Sequence, residues 1–293
     1  MKTVLITGVN GFVGSCLAGE FARRGWRVVG TTSNTAGLET KIPGTDRKWI
    51  LHLAAPVTGE IFDGVDAVVH CAYELRPQKM EQNVSGTQRI AEAAAEAGVT
   101  HQLFISSTSA HAAAASGYGK TKFKLQEYFL ARGHAVVRPG LIIGPGGMFQ
   151  RLVRTLKLPV VPLPDGGRDK VSVVGVVDFQ TALATVIDAR RSGLFNLFNP
   201  DPATLRELFA SIRAASGSRA LLLPFPSVLL RTMARSVEKI GLPLPFDAAS
   251  FAALKANQCV GERSDLGEFV PKPLTLAEMV EAASRTAPHS AAR

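Results

Sequence analysis

The first half of the chain alternates short apolar runs with longer stretches in which apolar residues recur every three or four positions. The apolar runs are rich in Val, Ile and Leu and do not alternate with polar residues. This is typical of strands that are covered on both faces of a parallel sheet. The pattern predicts such strands at residues 3–7, 26–31, 48–53, 67–71, 102–106 and 135–138.

The amphipathic stretches between these runs predict helices at residues 12–24, 83–97 and 118–132. Glycine, which commonly ends helices, follows each of them, as Gly25, Gly98 and Gly133. Strand, helix and strand repeated with short links require right-handed crossovers. We therefore predict an α/β fold with a Rossmann-type doubly wound parallel sheet.

The character of the sequence changes after about residue 140, where proline becomes frequent and further helical patterns follow. This change predicts a smaller, mainly helical C-terminal lobe. The expected organisation is a first domain at 1–165, to which elements from about 171–200 return, a lobe at 200–285 and a flexible tail at 286–293.

Composition narrows the classes of partner. The 293 residues carry a formal net charge of +9, which suits an anionic ligand, but the basic residues are scattered, so we expect no nucleic-acid partner. No run approaches the about 20 apolar residues that cross a bilayer, and we expect no membrane partner.

The N-terminal apolar run continues into a glycine motif rather than a cleavage site, which favours the cytoplasm. Three widely spaced cysteines (Cys16, Cys71, Cys259) predict no metal site.

A glycine-rich loop separates the first predicted strand from the first predicted helix, with residues 7–14 reading Thr-Gly-Val-Asn-Gly-Phe-Val-Gly. In such a loop the first glycine permits a tight turn, the second lets a pyrophosphate approach the backbone, and the third lets helix and strand pack closely. The helix N-terminus then offers free N–H groups to the phosphates. The expected dinucleotide-binding residues here are Gly8, Asn10, Gly11, Phe12, Val13 and Gly14.

The second predicted strand ends without the carboxylate that many NAD sites place near the ribose hydroxyls. Thr32 and Ser33 stand there instead, so a 2′-phosphate meets hydroxyl donors and no repulsion. We therefore favour NADP(H) over NAD(H). Arg23, Arg24 or Lys41 is the cation that could approach that phosphate.

Tyr118 and Lys122 are four residues apart at the start of a predicted helix and share one face. A nearby ammonium, the positive charge of a nicotinamide ring and a dry pocket are expected to bring the tyrosine pKa from about 10 towards neutrality. Ser107 ends the fifth predicted strand, where its hydroxyl can donate to a substrate carbonyl oxygen. These three residues are the predicted catalytic set.

The segments TGVNGFVG, VDAVVHCA, NVSGT, FISSTS, YGKTK and RPGLIIGPG, in this order, resemble the extended short-chain dehydrogenase/reductases, and more narrowly the NAD-dependent epimerase/dehydratase family. The resemblance covers nearly all of the first 180 residues. It implies that Tyr118 is the acid/base, that Lys122 binds the nicotinamide ribose and that Ser107 polarises the reacting oxygen, with Thr108 as the alternative. It also places Cys71 and Ala72 in the cofactor loop and implies a homodimer through the helices near 83–97 and 118–132.

Departures from the family pattern limit what the resemblance implies. His52-Leu53 stands where relatives carry Asp-Leu against the adenine. No carboxylate follows Ser107, which argues against a 4,6-dehydratase, and the span from Ser107 to Tyr118 is short. The family also carries an HLAA signature later in the chain. His52-Leu53-Ala54-Ala55 has the same letters, but the Gly-Val-Asp that leads into His70-Cys71-Ala72 makes that segment the better match.

Further residues are candidates for substrate contact. Asn83 is either a helix cap or a site residue. Arg138 either steadies the loop after the sixth strand or reaches a substrate anion. Arg168 resembles a position that holds a substrate pyrophosphate in some relatives, although a solvated loop charge is the alternative. His70, after a buried strand, is interpreted as a core residue rather than a base.

The leading hypothesis is an NAD(P)-dependent reductase or epimerase acting on a small, sugar-nucleotide-like substrate, with residues 1–165 as the NAD(P)-binding domain and 200–285 as the substrate-binding lobe. Reductase and epimerase need the same site, so both stay open. A non-catalytic dinucleotide-binding sensor or assembly protein is the alternative, and nucleic-acid binding is a third.

Overall fold

The computed structural model describes residues 1–114, 116–230 and 262–286. These residues form two compact units. The first comprises Met1–Arg138 and Gln180–Asn196, and the second comprises Pro139–Phe179 and the described residues from Leu197 onward.

The elements follow one another along the chain as β1 (Thr3–Thr7), α1 (Phe12–Arg23), β2 (Arg27–Thr32), α2 (Thr35–Glu39), β3 (Arg47–Ile50), β4 (Ala67–His70), α3 (Met80–Glu96), β5 (His101–Ile105), α4 (Gly117–Leu130), β6 (Ala135–Pro139), β7 (Leu141–Ile143), α5 (Gly147–Thr155), β8 (Val160–Pro164), β9 (Lys170–Val171), β10 (Val173–Gly175), α6 (Val176–Asp188), β11 (Gly193–Leu197), β12 (Ala203–Thr204), α7 (Leu205–Ser216), β13 (Leu221–Phe225), α8 (Leu266–Phe269) and α9 (Leu276–Thr286). One-turn 3₁₀ helices lie at Gly59–Phe62, Pro77–Lys79 and Asp165–Gly167.

A seven-stranded sheet in the order β11-β6-β5-β4-β1-β2-β3 organises the first unit. The pairings among β1 to β6 are parallel, with Leu5 opposite both Val29 and Val68. Strand order runs outward from β1 in one direction and from β4 in the other. This is the doubly wound Rossmann arrangement, with its switch point between β1 and β4. The predicted fold class is confirmed.

The sheet is covered by apolar helix faces, as the buried strand patterns predicted. One cluster joins β1, β2 and β4 to α3 through Leu5, Val68 and Ile90. A second cluster joins β5 and β6 to α3 and α4, where Phe104 and Phe129 stack with ring centroids 5.1 Å apart. On α1, Arg24 forms an ion pair with Asp188 of α6 at 2.7 Å, which ties these two helices together.

The described part of residues 200–286 is mainly helical, as predicted, and the second unit adds short strands and a helix from residues 139–179. Short strands pair as β7 with β10, β8 with β13 and β9 with β12, and α5, α7 and α9 pack on them around Leu152, Leu208 and Val280. A capping box formed by Thr204 and Glu207 begins α7.

The first segment of the first unit ends at Arg138, before the expected boundary at residue 165, and Gln180–Asn196 return to this unit. The turn after β6 explains the difference, because Gly140 approaches residues 172–173 so closely that a Cβ there would lie 2.5 Å from the Ser172 carbonyl oxygen. Residues from 139 onward therefore join their pairing partners in the second unit. Cys259 and all of the predicted tail except Thr286 lie outside the described residues.

Among the described residues, no helix combines the length and the apolar character needed to cross a membrane.

We expect Gly14→Ala to destabilise the protein by about 1–3 kcal/mol, because the new Cβ meets rigid backbone. It would lie 2.5 Å from the Gly8 carbonyl oxygen and 2.8 Å from the Val9 Cα. Gly19→Ala, in the same helix but facing open space, is the matched control and is expected to stabilise by about 0.5–1 kcal/mol. Urea denaturation of both variants measures the difference, and equal effects would contradict the close packing of helix and loop.

Candidate active site

The glycine loop between β1 and α1 forms a tight turn against the loop that follows β4. Gly8 has a φ of +66°, and a Cβ on it would lie 2.9 Å from the Ala72 Cα. The Gly11 N–H donates to the Gly8 carbonyl oxygen at 2.9 Å. The backbone N–H groups of Cys71 and Ala72 both donate to the Thr7 hydroxyl at 3.0 Å. The two loops predicted to bind the cofactor are therefore joined directly.

The N-terminus of α1 is suited to an anionic group. Gly11 is its N-cap residue and makes no side-chain cap, and no acidic residue stands in the first turn. Around Gly11, the only atom that an added Cβ would approach within 4 Å is the Gly8 carbonyl oxygen, at 3.2 Å. Phe12 and Val13 are half-buried at the helix start. The loop thus fits the pyrophosphate of a dinucleotide, because unpaired N–H groups at a helix start attract phosphate.

Asn10 adds a second indication of a ligand. Its Nδ2 donates to the Gly37 carbonyl oxygen at 3.0 Å, whereas its Oδ1 is buried and accepts no hydrogen bond. Buried polar atoms are nearly always paired in proteins. An acceptor left open in this loop therefore suits a ligand hydroxyl or amide.

The cation near the end of β2 is not one of the arginines that the sequence suggested. Arg23 and Arg24 lie at the C-terminal end of α1, where both pair with Glu20. A helix of 12 residues is about 18 Å long, so these arginines are remote from the glycine loop at its other end, and their predicted contact with a 2′-phosphate is wrong. The cation beside this region is Lys48, which donates to the carbonyl oxygens of Gly37 and Thr40.

The remaining groups around the end of β2 are polar. Thr32 is buried against Gly37, whereas Ser33 and Lys41 are exposed. The Asn34 side chain accepts the Gly37 N–H at 2.7 Å and begins α2. The segment therefore leaves the Ser33 hydroxyl, and no carboxylate, facing solvent at the strand end.

Tyr118, Lys122 and Ser107 are brought together as predicted. Ser116 caps α4 by accepting the Gly119 N–H at 3.0 Å, which fixes the turn that carries Tyr118. The Tyr118 phenol is hydrogen-bonded to the Ser107 side chain. Lys122 Nζ lies 5.9 Å from the centroid of the Tyr118 ring and donates to the Ile105 carbonyl oxygen at 2.6 Å.

The electrostatics of this trio differ from expectation. Burial lowers the pKa of Lys122 to about 7, opposed only weakly by the Cys71 thiol. Burial also raises the pKa of Tyr118, and the hydrogen bond from Ser107 counters this in part. A dry pocket disfavours the phenolate as well as the ammonium, so the expectation that dryness helps to activate Tyr118 is wrong.

The loop after β5 fixes the Ser107 hydroxyl. Ser107 Oγ lies 2.9 Å from Ser109 Oγ and accepts the Ser109 N–H at 3.2 Å. The Arg138 guanidinium donates to the carbonyl oxygens of Ser107 and Thr108 at 3.3 and 3.4 Å. The guanidinium thus contacts the loop after β5 rather than the predicted loop after the sixth strand, and its contact with a substrate anion stays a prediction. Thr108 is buried, whereas the neighbouring serine has the bond to Tyr118.

Asn83 holds the loop after β4 and does not cap a helix. Helix α3 begins at Met80, so the predicted cap is wrong. Asn83 is fully buried, and its amide accepts the Glu74 N–H at 2.7 Å and donates to the Glu74 carbonyl oxygen at 2.8 Å. Its amide is thus engaged by the main chain.

His70 and His52 lie in different surroundings, one buried and one exposed. His70 is buried against Phe129 and bonded through Nε2 to Gln102 at 2.8 Å, and burial lowers its pKa to about 4. It is therefore a neutral core residue. His52 is exposed after β3. Arg168 follows the 3₁₀ turn at Asp165–Gly167 in the second unit, and its contact with substrate stays a prediction. Within the part of the chain that the structure describes, no group of three His, Cys, Asp or Glu side chains is arranged for a metal ion.

Sequence reasoning missed Tyr73. Its ring packs edge-to-face on Tyr118, with centroids 5.2 Å apart, and lies 4.5 Å from Lys122 Nζ. The available signal was its position, since residues that follow the carboxyl ends of strands in a doubly wound sheet line the ligand crevice. Lys48 was missed because only the pairing of β2 with β3 brings it to the end of β2.

We expect Lys122→Met to make the protein about 2–4 kcal/mol more stable at pH 6, because it removes a buried charge. The pKa of Lys122 is about 7 when folded and 10.5 ordinarily, so the unfolded chain binds the extra proton between these values. Wild-type stability therefore rises with pH from about 7 to 10.5, and its deficit relative to the variant disappears over that range.

Thermal unfolding of both proteins between pH 6 and 10.5 measures this dependence. Lys124→Met, which removes an exposed lysine from the same helix, is the control and should show little change with pH. A Lys122→Met variant that is less stable than wild type at pH 6 would overturn the assignment of a costly buried ammonium.

Comparisons with known proteins agree with this geometry. The model of the NAD dependent epimerase/dehydratase family matches residues 4–197. An uncharacterized protein, y4nG, of Sinorhizobium fredii (strain NBRC 101917 / NGR234) is 24% identical over 270 residues, covering 81% of this chain and 67% of that protein. An NAD-dependent glucose-6-phosphate dehydrogenase of Haloferax volcanii is 32% identical over 120 residues, covering 37% of this chain and 44% of that protein.

The structure of MoeE5 in complex with UDP-glucuronic acid and NAD has a TM-score of 0.73 to this chain at 19% identity, covering 97% of this chain and 98% of MoeE5. At that identity the likeness concerns the fold. The family model, however, matches more than half of the sequence, including the glycine loop and the Tyr118, Lys122 and Ser107 cluster. The chain therefore belongs to the NAD dependent epimerase/dehydratase family of enzymes.

Proposed function

We propose that this enzyme moves a hydride at a carbinol or ketone carbon of a small substrate, with Tyr118 as the proton donor and acceptor. The observation that carries the proposal is the cluster of Tyr118, Ser107 and Lys122 in the same unit as an uncapped glycine loop. The loop lies at the β1–β4 switch point, where doubly wound sheets bind their ligands.

Several residues are suited to hold the cofactor. Gly8 to Gly14 would hold the pyrophosphate, Cys71 and Ala72 the neighbouring part of the dinucleotide, and Lys122 the nicotinamide ribose. The bound nicotinamide supplies the acceptor or donor of hydride.

The chain's own groups manage the proton. In reduction, the Tyr118 hydroxyl gives its proton to the substrate oxygen, and in oxidation the phenolate takes that proton back. The Ser107 hydroxyl donates a hydrogen bond to the same oxygen. A charged Lys122 favours the phenolate, so retention of its ammonium when ligand fills the site is what lowers the pKa of Tyr118.

The same site serves a reductase or an epimerase, which differ in whether the ketone is released or reduced again from its other face. Thr108 and Ser109 provide no carboxylate for elimination, which supports these two reactions over dehydration. MoeE5 was solved with UDP-glucuronic acid, and we propose a sugar nucleotide as substrate here too. Asn83 and Arg138 would then shape the site through its loops, and Arg168 would contact the substrate phosphates.

We favour NADP(H) over NAD(H) because residues 30–34 contain no carboxylate. Ser33 and Lys48 are the donors that support this preference, whereas Arg23 and Arg24 do not. A homodimer through α3 and α4, and the lack of a nucleic-acid partner, stay predictions.

Tyr118→Phe is expected to lower kcat at least about 100-fold while leaving NADPH affinity within about twofold, because it removes the proton but keeps the ring. With UDP-glucose and UDP-glucuronic acid as test substrates, net oxidation or reduction is followed at 340 nm. Epimerisation, which leaves the cofactor unchanged overall, is followed by chromatographic separation of the sugar nucleotides. Tyr128→Phe, on the same helix and bonded to Glu92, is the matched control and should remain active. Unchanged kcat in Tyr118→Phe would favour another acid/base, and no turnover in wild type would favour the non-catalytic alternative.

Cofactor choice is tested by titrating NADPH and NADH separately and following nicotinamide fluorescence. Ser33→Asp is expected to weaken NADPH binding about 10-fold or more and to spare NADH, because its carboxylate repels the 2′-phosphate. Ser85→Asp adds the same charge at an exposed position of α3 and should change the affinity for neither NADPH nor NADH. Tighter binding of NADH by wild type would reverse the proposed preference without altering the fold.

A further inference from the structure

Tyr73 is held at two points beside the proposed catalytic residues. On its N-terminal side, Cys71 and Ala72 donate their N–H groups to the Thr7 hydroxyl. On its C-terminal side, the Asn83 amide bonds both backbone groups of Glu74. The main chain on either side of Tyr73 is therefore fixed to β1 and to α3.

The side chain of Tyr73 is fixed as well. Its hydroxyl donates to Met80 Sδ at 3.3 Å and is bonded to Thr121 of α4. Its ring lies edge-to-face with Tyr118, at 5.2 Å between centroids and an interplanar angle of 75°. The ring thus bridges the start of α3 and the first turn of α4.

The ammonium of Lys122 lies among aromatic faces. Nζ is 4.5 Å from the Tyr73 centroid and 4.8 Å from that of Phe104, closer than to Tyr118. Its hydrogen-bond acceptor is the Ile105 carbonyl oxygen, and among the described residues no carboxylate pairs with it. Aromatic faces carry negative potential, and this attraction is strongest where the cation is desolvated.

We propose that Tyr73 is a positioning residue of this site, whose ring face holds the Lys122 ammonium charged and in place beside Tyr118. The proposal rests on the proposed function only in that Lys122 and Tyr118 are working residues there. The contact itself is a property of the protein without ligand, so it is tested separately.

The proposal carries a pH dependence. The titratable groups that face the ammonium are the Cys71 thiol, from the loop after β4, and the phenols of Tyr73 and Tyr118. The phenol pKa values are raised by burial, so both stay neutral while Lys122 titrates near 7. The interaction of Tyr73 with Lys122 is therefore strong below pH 7 and lost at higher pH.

A double-mutant cycle with Tyr73→Leu and Lys122→Met measures this interaction through melting temperatures at pH 6 and pH 9.5. We expect Tyr73→Leu to lower the melting temperature by about 2 °C more in the wild-type background than in the Lys122→Met background at pH 6, and equally in both backgrounds at pH 9.5. Additivity at both pH values would overturn the proposal.

The matched control is the cycle of Tyr128→Leu with Arg132→Met, since Arg132, just after the end of α4, lies 3.6 Å from the centroid of the Tyr128 ring. A guanidinium stays charged across this range, so any coupling in the control should not change between pH 6 and pH 9.5. A control that loses its coupling like the test pair would assign the effect to general pH sensitivity and overturn the proposal.

Ring substitution keeps the proposal testable if Tyr73→Leu does not fold. Phenylalanine, 4-fluoro-, 3,5-difluoro- and 3,4,5-trifluorophenylalanine at position 73 keep the ring size and weaken its negative face step by step. We expect the melting temperature at pH 6 to fall along the series in the wild-type background and to stay level in the Lys122→Met background. A level series in both backgrounds would overturn the proposal.

NADPH and NADH titrations of the same variants separate this inference from the proposed function. If the inference holds, Tyr73→Phe binds nicotinamide cofactor like wild type at pH 6, and Tyr73→Leu binds it at least about threefold more weakly at that pH. Coupling without any cofactor binding would contradict the proposed function alone. Normal cofactor binding without coupling would contradict the role of Tyr73 alone.

Discussion

Strands β1 and β4 lie side by side and parallel, and the groups around the candidate site are placed relative to that pairing. The Thr7 hydroxyl at the end of β1 accepts both N–H groups of the loop after β4. Gly8 brings the two backbones so close that a Cβ would lie within 2.9 Å of Ala72. The loop after β1 continues into the N-terminus of α1, which has no side-chain cap, and the loop after β4 continues to Tyr73. The glycine loop and the cluster of Tyr118, Lys122 and Ser107 are thereby joined through one pair of strands.

Around this centre, buried polar side chains bond the main chain. Asn83 bonds Glu74, Arg138 bonds the loop of Ser107, and Ser116 caps the helix of Tyr118. Such bonds satisfy backbone groups that would otherwise be buried unpaired, and they also fix the loops that carry the working residues. The unpaired Asn10 Oδ1 stands out against this background, and it lies in the loop proposed to bind the pyrophosphate.

The buried ammonium of Lys122 is the main electrostatic cost of this arrangement. A lysine in an apolar setting loses its hydration, and its pKa falls to about 7 for that reason. A protein selected for stability alone would place an apolar side chain there. The lysine lies instead beside Tyr118 and Tyr73, and shifted pKa values of this kind are most frequent at functional sites.

The amino-acid sequence by itself determined the doubly wound sheet, the glycine loop and the grouping of Tyr118, Lys122 and Ser107. Apolar runs, glycine positions and a four-residue spacing are local signals, and the rules of parallel topology convert them into one arrangement. Only the tertiary structure decided what depends on contacts between distant segments. It placed Arg23 and Arg24 with Glu20, gave Lys48 to the end of β2, and turned Asn83 and Arg138 towards loops. It also put Tyr73 against Lys122 and set the direction of both active-site pKa changes, because burial is created only when separate elements pack together.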